Sequence, residues 1–150
     1  MLFVDITPYG EGLFTADPIP VGRVVLSLDG RFTSIINADA DCYALSDTLY
    51  LDPGDHLGRW VNHSCDPNCW VRIRGVSAEI VAWRDIEPKE EITYDYAQNR
   101  PGDEGVWSFP CFCEAENCRM VISGWDSLSP DRQAWYRQQQ VVPEYLRKRL

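Results

Sequence analysis

The stretch RWVNHSCDPNC at residues 59–69 places Asn62, His63, Ser64, Cys65, Asp66 and Asn68 directly after the apolar pair Trp60 and Val61. Ordinary loops rarely spend residues this way. Asn and His bring hydrogen-bond donors and acceptors in fixed geometry, a thiol is a soft metal ligand, and Asp66-Pro67-Asn68 is a turn that reverses the chain just beyond them. The competing reading is a polar turn with two buried free cysteines. What the rest of the chain offers as partners to this loop decides between them.

Upstream, residues 2–6 read as a short strand running into Pro8-Tyr9-Gly10-Glu11-Gly12. There two glycines let a ligand approach the backbone, although a plain turn would use the same residues. Residues 13–16 resume an extended pattern, 17–22 forbid regular structure, and 23–28 form a further strand closed by Asp29-Gly30. Apolar runs at 32–36, 42–45 and 48–51 are brief and turn-punctuated, with no sustained helical period.

Downstream, residues 70–73 and 78–83 predict a hairpin turning near Arg74-Gly75, followed by another turn over 85–89. As a strand, EITYDY at 91–96 puts Ile92, Tyr94 and Tyr96 on one face and Thr93 and Asp95 on the other. Two phenols on a common face also suit a half-buried core. Residues 98–110 have the composition of a mobile loop. Cys111, Cys113 and Cys118 then give C-x-C-x4-C, one ligand short of a tetrahedral zinc site. Cys65 is the obvious fourth candidate, and Cys69 competes. Ser129-Pro130-Asp131 supplies a cap, a first-turn proline and an early acid, predicting a helix from about 130 to 140. Pro143 and Glu144 begin a second, with Arg147, Lys148 and Arg149 near its C-terminal end.

Composition bounds these readings. A chain of 150 residues that is 45% hydrophobic and 12% aromatic has the size and apolar content of one compact domain. The net charge is −9, and residues 85–116 hold nine Asp or Glu against only Lys89 and Arg100. Such a field attracts cations and repels phosphate, so a basic polypeptide is the expected partner and direct nucleic-acid binding is not. Acidic faces also simply keep proteins in solution. No cationic segment followed by a long apolar run opens the chain, and no run of 18 apolar residues occurs, so neither a secretory signal nor a membrane span is expected. The expectation is an intracellular protein. In that setting the tight spacing among six cysteines points to metal rather than disulfides.

Together the blocks YGEGLF at 9–14, CY at 42–43, RWVNHSCDPNC at 59–69, EITYDY at 91–96 and PCFCEAENCRMVI at 110–122 resemble the SET-domain protein-lysine methyltransferases with a zinc-binding post-SET tail. The resemblance covers about residues 1–125. It implies a mainly β fold of several small curved sheets with a pseudoknot, plus a short C-terminal helical segment. The division it implies is a SET domain at 1–109, a post-SET tail at 110–126 and a helical extension at 127–150.

The resemblance further implies S-adenosylmethionine bound against Tyr9, Gly10, Glu11, Gly12 and Leu13, with Glu11 near its amino-acid or ribose portion. Backbone and side-chain groups of Asn62 and His63 would hold its adenine and methionine ends, Tyr43 would lie beside it, and Phe112 and Trp125 would cover it. Tyr96 would be the main catalytic tyrosine, Tyr43 the second hydroxyl at the lysine channel, and Tyr94 the residue limiting the product to mono- or di-methylation. One structural zinc would take Cys65, Cys111, Cys113 and Cys118, leaving Cys42 and Cys69 as thiols. The implied substrate is a lysine in a basic protein, a histone tail by default. The setting would be cytoplasmic in a bacterium, and nuclear in a eukaryote or an invaded host. The C-terminal helices are the candidate oligomer contact. The alternative is a non-catalytic SET module that binds a protein partner in the same groove. Three departures from the family stand out: a short insert between Gly30 and Tyr43, Leu28 where many members have tyrosine, and Lys89 where many have a turn glycine.

Overall fold

The computed structural model describes residues 1–102 and 108–148; Arg149 and the centre of the segment expected to be a mobile loop lie outside the described residues. Turn chemistry and short apolar runs build small sheets. Strands β1 (Leu2–Thr7) and β2 (Gly10–Thr15) pair antiparallel, closed by Thr7 Oγ1 donating to Gly10 O at 3.0 Å. The Gly-x-Gly pair therefore opens a strand instead of forming a loop. Gly10 sits at φ +136°, a conformation L side chains rarely adopt.

Next come β3 (Val24–Ser27), β4 (Arg31–Ser34), β5 (Tyr43–Ala44) and β6 (Leu49–Asp52), the last three forming a sheet in the order β4-β6-β5. After β7 (Asn62–His63), the expected hairpin appears as β8 (Cys69–Arg74) and β9 (Ser77–Ala82), with β3 on its far edge. Between the sheets lies one core of Leu13, Tyr43, Leu45, Leu51, Val61, Val71, Ile80, Ile86, Ile92 and Tyr94. Each such apolar side chain, fully buried, stabilises the fold by about 1.5–3 kcal/mol.

The decisive pairing is β7 with β10 (Thr93–Tyr94), parallel, with Asn62 opposite Thr93 and His63 opposite Tyr94. Two segments remote in sequence run side by side here. On the other side of the loop, Asn117 Nδ2 and Arg132 Nη2 donate to Cys65 O at 3.3 and 2.9 Å, so the NHSC segment is gripped from both flanks. Asn68, just past the turn and 2% exposed, donates to Glu91 O at 2.7 Å and accepts from Thr93 N at 2.9 Å. The Asp-Pro-Asn turn thus also welds the loop to the tyrosine segment.

EITYDY is not one strand. Pairing stops at Tyr94, and Asp95 caps the short helix α1 (Tyr96–Asn99), its Oδ1 accepting from Ala97 N at 3.0 Å. An N-terminal Asp cap is worth about 1 kcal/mol, enough to outweigh the strand preference of one more tyrosine. Gln98 and Asn99, expected in a mobile loop, are instead buried. Gln98 Nε2 donates to Val71 O and Val141 O at 3.0 and 2.6 Å, and Asn99 bonds both the N and the O of Ala44 at 2.9 Å.

The hairpin β11 (Phe109–Pro110) and β12 (Val121–Ile122) brackets the cysteine cluster. Helices α2 (Pro130–Gln138) and α3 (Glu144–Arg147) follow, α2 capped by Ser129 Oγ accepting from Arg132 N at 3.2 Å. They bury Tyr136, Val142 and Leu146 in a second core with Ala97, Trp125 and Leu128, against Trp70, Trp83 and Trp135. Trp125, expected over the cofactor, is 1% exposed in this cluster with its ring 6.2 Å from Tyr136. Burial of so large an apolar surface draws it away from the cleft. No helix among the described residues is long and apolar enough to cross a membrane.

Lys89, singled out above as a lysine at a turn position where the resembled family often has glycine, adopts φ +68° in the left-handed region. Its N donates to Thr15 O at 2.6 Å, so the turn is held against the strain. Lys89→Gly should therefore stabilise the protein by about 0.5–1 kcal/mol, read as a higher midpoint in urea; an unchanged or lower midpoint contradicts this.

Candidate functional site

The β7–β10 pairing sets the site's geometry, because it puts Asn62 and His63 beside Tyr94 and the turn that carries Tyr96. A cleft of about 210 Å³ is lined by Tyr9, Asn62, His63, Tyr96, Phe112 and Ile122, together with Pro110, Cys111 and Cys113. That is smaller than the roughly 300–1,000 Å³ of sites that enclose a drug-sized ligand. Tyr9, Asn62, His63 and Phe112 thus share one cleft, and Phe112 is 65% exposed at its rim. Leu13 and Tyr43 are fully buried behind the cleft, so neither presents a side chain to it.

The floor is built by hydrogen bonds that sequence spacing did not reveal. Asn62 Nδ2 donates to Glu11 O at 2.9 Å and to Glu91 Oε1 at 2.8 Å, and Tyr9 OH lies 3.4 Å from Glu91 Oε2. Glu11 itself receives Trp60 Nε1 at 3.3 Å. A side chain at Gly12 would place its Cβ 2.5 Å from Glu91 Oε1 and 3.0 Å from Asn62 Nδ2. A larger residue there would push the Glu91 carboxylate off Asn62, so glycine preserves that contact.

His63 is committed within the protein. Its Nδ1 accepts from Tyr96 N at 3.1 Å, which leaves the proton on Nε2, 3.3 Å from Cys65 Sγ. Burial pushes its pKa down to about 4 despite Asp95 nearby, so the ring is neutral. Neither ring nitrogen remains for a ligand, and His63 serves by shaping the loop.

Three phenols stack behind the cleft: Tyr43 and Tyr94 have ring centroids 5.5 Å apart, Tyr94 and Tyr96 4.8 Å. Tyr96 OH donates to Val61 O at 2.9 Å and Tyr43 OH to Gly58 O at 2.6 Å. Desolvation holds all three pKa values above the ordinary phenol value, so they remain neutral donors. Tyr96 belongs to both the stack and the cleft lining, and joins them.

The sulfur atoms of Cys65, Cys111, Cys113 and Cys118 all lie within 4.8 Å of one another. The Cys65 and Cys111 Sγ atoms are 3.8 Å apart, matching the edge of about 3.8 Å expected of a tetrahedron with zinc–sulfur bonds of about 2.3 Å. Arg119 N and Met120 N point at Cys65 Sγ and Cys118 Sγ, both at 3.4 Å, as suits thiolates. Burial pushes the Cys65 thiol up to about 11; it acts on Cys113 too, but backbone and thiol hydrogen bonds bring that group down to about 7. The donor set fits a structural zinc. Cys69, the competing ligand, lies in the main core, and Cys42 contacts Asp39 at 3.5 Å.

Behind the turn sits Asp95, 1% exposed, bound by both terminal nitrogens of Arg119 at 2.9 and 2.7 Å and by Tyr136 OH at 2.5 Å. Neither Arg119 nor Tyr136 was foreseen, because they lie 24 and 41 residues away with no periodicity linking them.

A model of the SET domain family matches residues 10–97. The chain is 31% identical over 133 residues to the human histone-lysine N-methyltransferase 2B, covering 77% of this chain and 5% of that protein. It is 33% identical over 98 residues to the rice (Oryza sativa subsp. japonica) histone-lysine N-methyltransferase TRX1, covering 61% and 9%. Against the Saccharomyces cerevisiae H3 lysine-4 specific enzyme it is 43% identical over 71 residues, covering 45% and 6%. The chain thus spans at most 9% of the length of these relatives. Among solved structures, KRYPTONITE in complex with mCHH DNA, an H3(1-15) peptide and SAH superposes with a TM-score of 0.67 at 26% identity, over 81% of this chain and 29% of that one. The methyltransferase domain of human SETMAR gives 0.65 at 24% identity, over 82% and 58%, a likeness of fold.

No apolar core among the described residues contains Cys111, Cys113 or Cys118. Elemental analysis should therefore find about one zinc per chain, absent from Cys111→Ser, and chelation should leave a cooperative thermal transition. Freshly purified protein without zinc, or complete unfolding on chelation, contradicts this.

Proposed function

We propose, on the premise that this chain belongs to the SET-domain family, that it transfers a methyl group from S-adenosylmethionine to the side-chain amine of a lysine in a basic protein, with a histone tail as the substrate. The observation that carries this reading is the place of Tyr96, whose ring is shared by the open cleft and the buried phenol stack. A donor bound on one side and an amine entering from the other meet at that residue.

When bound, S-adenosylmethionine supplies an electrophilic methyl on a sulfonium. In this reading the backbone of Tyr9, Gly10, Glu11, Gly12 and Leu13 forms one wall of its site, Asn62 and the His63 loop another, and Phe112 the rim. Alignment of amine, methyl and sulfur lowers the barrier of an in-line displacement, so no strong base is needed at the centre. Tyr43, Tyr94 and Tyr96 line the amine's channel. Their dry, neutral surroundings favour an uncharged lysine, which is the nucleophile. Tyr94, 3% exposed and stacked between the other two phenols, narrows the channel and limits the product to mono- or di-methylation.

Cys65, Cys111, Cys113 and Cys118 would hold one structural zinc, so that residues 110–126 act as the post-SET tail of a SET domain spanning 1–109. The histone assignment rests on the relatives' names, on the H3 peptide in the KRYPTONITE complex, and on a net charge of −9 that suits a cationic tail. It places the protein's work at chromatin.

Incubation with labelled S-adenosylmethionine and mixed histones should label histone, and Tyr96→Phe should reduce the rate by about 100-fold or more, as expected for losing one preorganised hydroxyl. Binding of substrate without transfer would instead favour a non-catalytic module. Mass spectrometry should find Tyr94→Phe making more highly methylated product than wild type; an identical product distribution removes Tyr94 from that role.

A further inference from the structure

Residues 129–146 lie outside the stretch matched by the family model, yet their polar side chains reach the backs of the site's elements. Arg132 and Tyr136 stand four apart on α2 and so share a face. Arg132 Nη2 donates to Cys65 O at 2.9 Å and to Tyr136 OH at 3.3 Å; Tyr136 OH donates in turn to Asp95 Oδ2 at 2.5 Å. Stacking over Trp135 and Tyr136, with ring centroids 4.5 and 4.8 Å from its guanidinium carbon, fixes the Arg132 head in place. One hydrogen-bonded chain therefore runs from the NHSC loop through α2 to the residue that caps the Tyr96 turn. From α3, the Tyr145 hydroxyl lies 2.8 Å from Ala44 O, the residue next to Tyr43, and 2.5 Å from Asn99 O.

We propose that this C-terminal segment is a brace, with Arg132 positioning the cofactor loop through Cys65 O and Tyr136 positioning Tyr96 through Asp95. Apolar packing alone would hold the helices on the domain without these bonds. Their ends fall on positions flanking functional side chains: Cys65 lies two residues after His63, and Asp95 immediately precedes Tyr96. The two residues consequently act on different quantities. Losing the Tyr136 hydroxyl leaves Asp95 Oδ2 held by Arg119 Nη1 alone, with Oδ1 still on Arg119 Nη2 and the Ala97 amide, so the carboxylate can shift toward Arg119 and move the turn and its phenol. Losing the Arg132 head leaves Cys65 O with the longer Asn117 bond alone, which slackens the loop.

This rests on the methyltransferase reading, so the test includes a readout independent of turnover. In the full chain, Tyr136→Phe, Arg132→Gln and the exposed control Gln138→Ala are compared for kcat, for S-adenosylhomocysteine affinity by calorimetry, for zinc content and for melting temperature. Tyr136→Phe should lower kcat about tenfold with the Kd within about twofold of wild type, an effect on the scale of one hydrogen bond. Arg132→Gln should weaken the Kd about fivefold or more with kcat at saturating cofactor nearly unchanged. Zinc should be retained in both, and Gln138→Ala should match wild type. If both parameters fall together in both variants, in step with melting temperature, the segment is only scaffold and the brace is overturned; the same holds if neither moves. A wild-type chain that binds S-adenosylhomocysteine yet transfers nothing refutes the activity, and the Arg132→Gln affinity then decides for or against the brace alone.

Discussion

A carboxylate sealed inside the protein organises this molecule. Burial by itself would raise the Asp95 pKa, but the Arg119 charge, its paired hydrogen bonds and the Tyr136 hydroxyl hold it below the ordinary carboxylate value. An ionised acid in such a place must keep its partners, since removing one member of a buried pair costs about 3–5 kcal/mol. Its stabilisation is fully present above the unfolded-state pKa and is lost as pH falls through the lower folded value. Asp95 therefore ties together the cysteine tail through Arg119, helix α2 through Tyr136, and the Tyr96 turn through Ala97 N.

Around that anchor, the cleft and the metal centre share residues. Cys65 gives its sulfur to the thiol cluster and its carbonyl to Asn117 and Arg132, while His63 bonds its sulfur and Tyr96 N at once. A neutral imidazole with its proton on Nε2 does both, whereas a protonated ring would lose the Tyr96 bond. Filling the metal site thus bears on the order of the loop beside the cleft, and the loop's order bears on Tyr96. Charge and burial divide the molecule in the same way: a net charge of −9 draws cations to it, while the phenols behind the cleft stay dry and neutral.

Much of the site was legible in the chain. The cluster Asn62, His63 and Cys65, the C-x-C-x4-C tail, the phenols Tyr94 and Tyr96 and the hairpin on Arg74-Gly75 all announced themselves, because metal ligation, turn chemistry and strand alternation are local and depend on residue type and spacing. The cap at Ser129 and the helix behind it were equally plain. Extending EITYDY through Tyr96 and placing Gln98 and Asn99 in a loop went astray, because a carboxylate cap and buried amide bonds to Val71, Val141 and Ala44 outweighed local preference.

Residue chemistry by itself determined that there would be short strands, a thiol cluster with Cys65 or Cys69 as the fourth ligand, paired phenols and a capped terminal helix. Only the folded chain decided that Cys65 and not Cys69 joins the other three sulfurs, that Trp125 leaves the cleft for a second core, and that Arg119, Arg132 and Tyr136 gather around Asp95 and Cys65. The physical reason is range. A cap or a ligand spacing acts over a few residues, whereas the partner of a buried charge is whatever the packing of distant segments brings within hydrogen-bond reach.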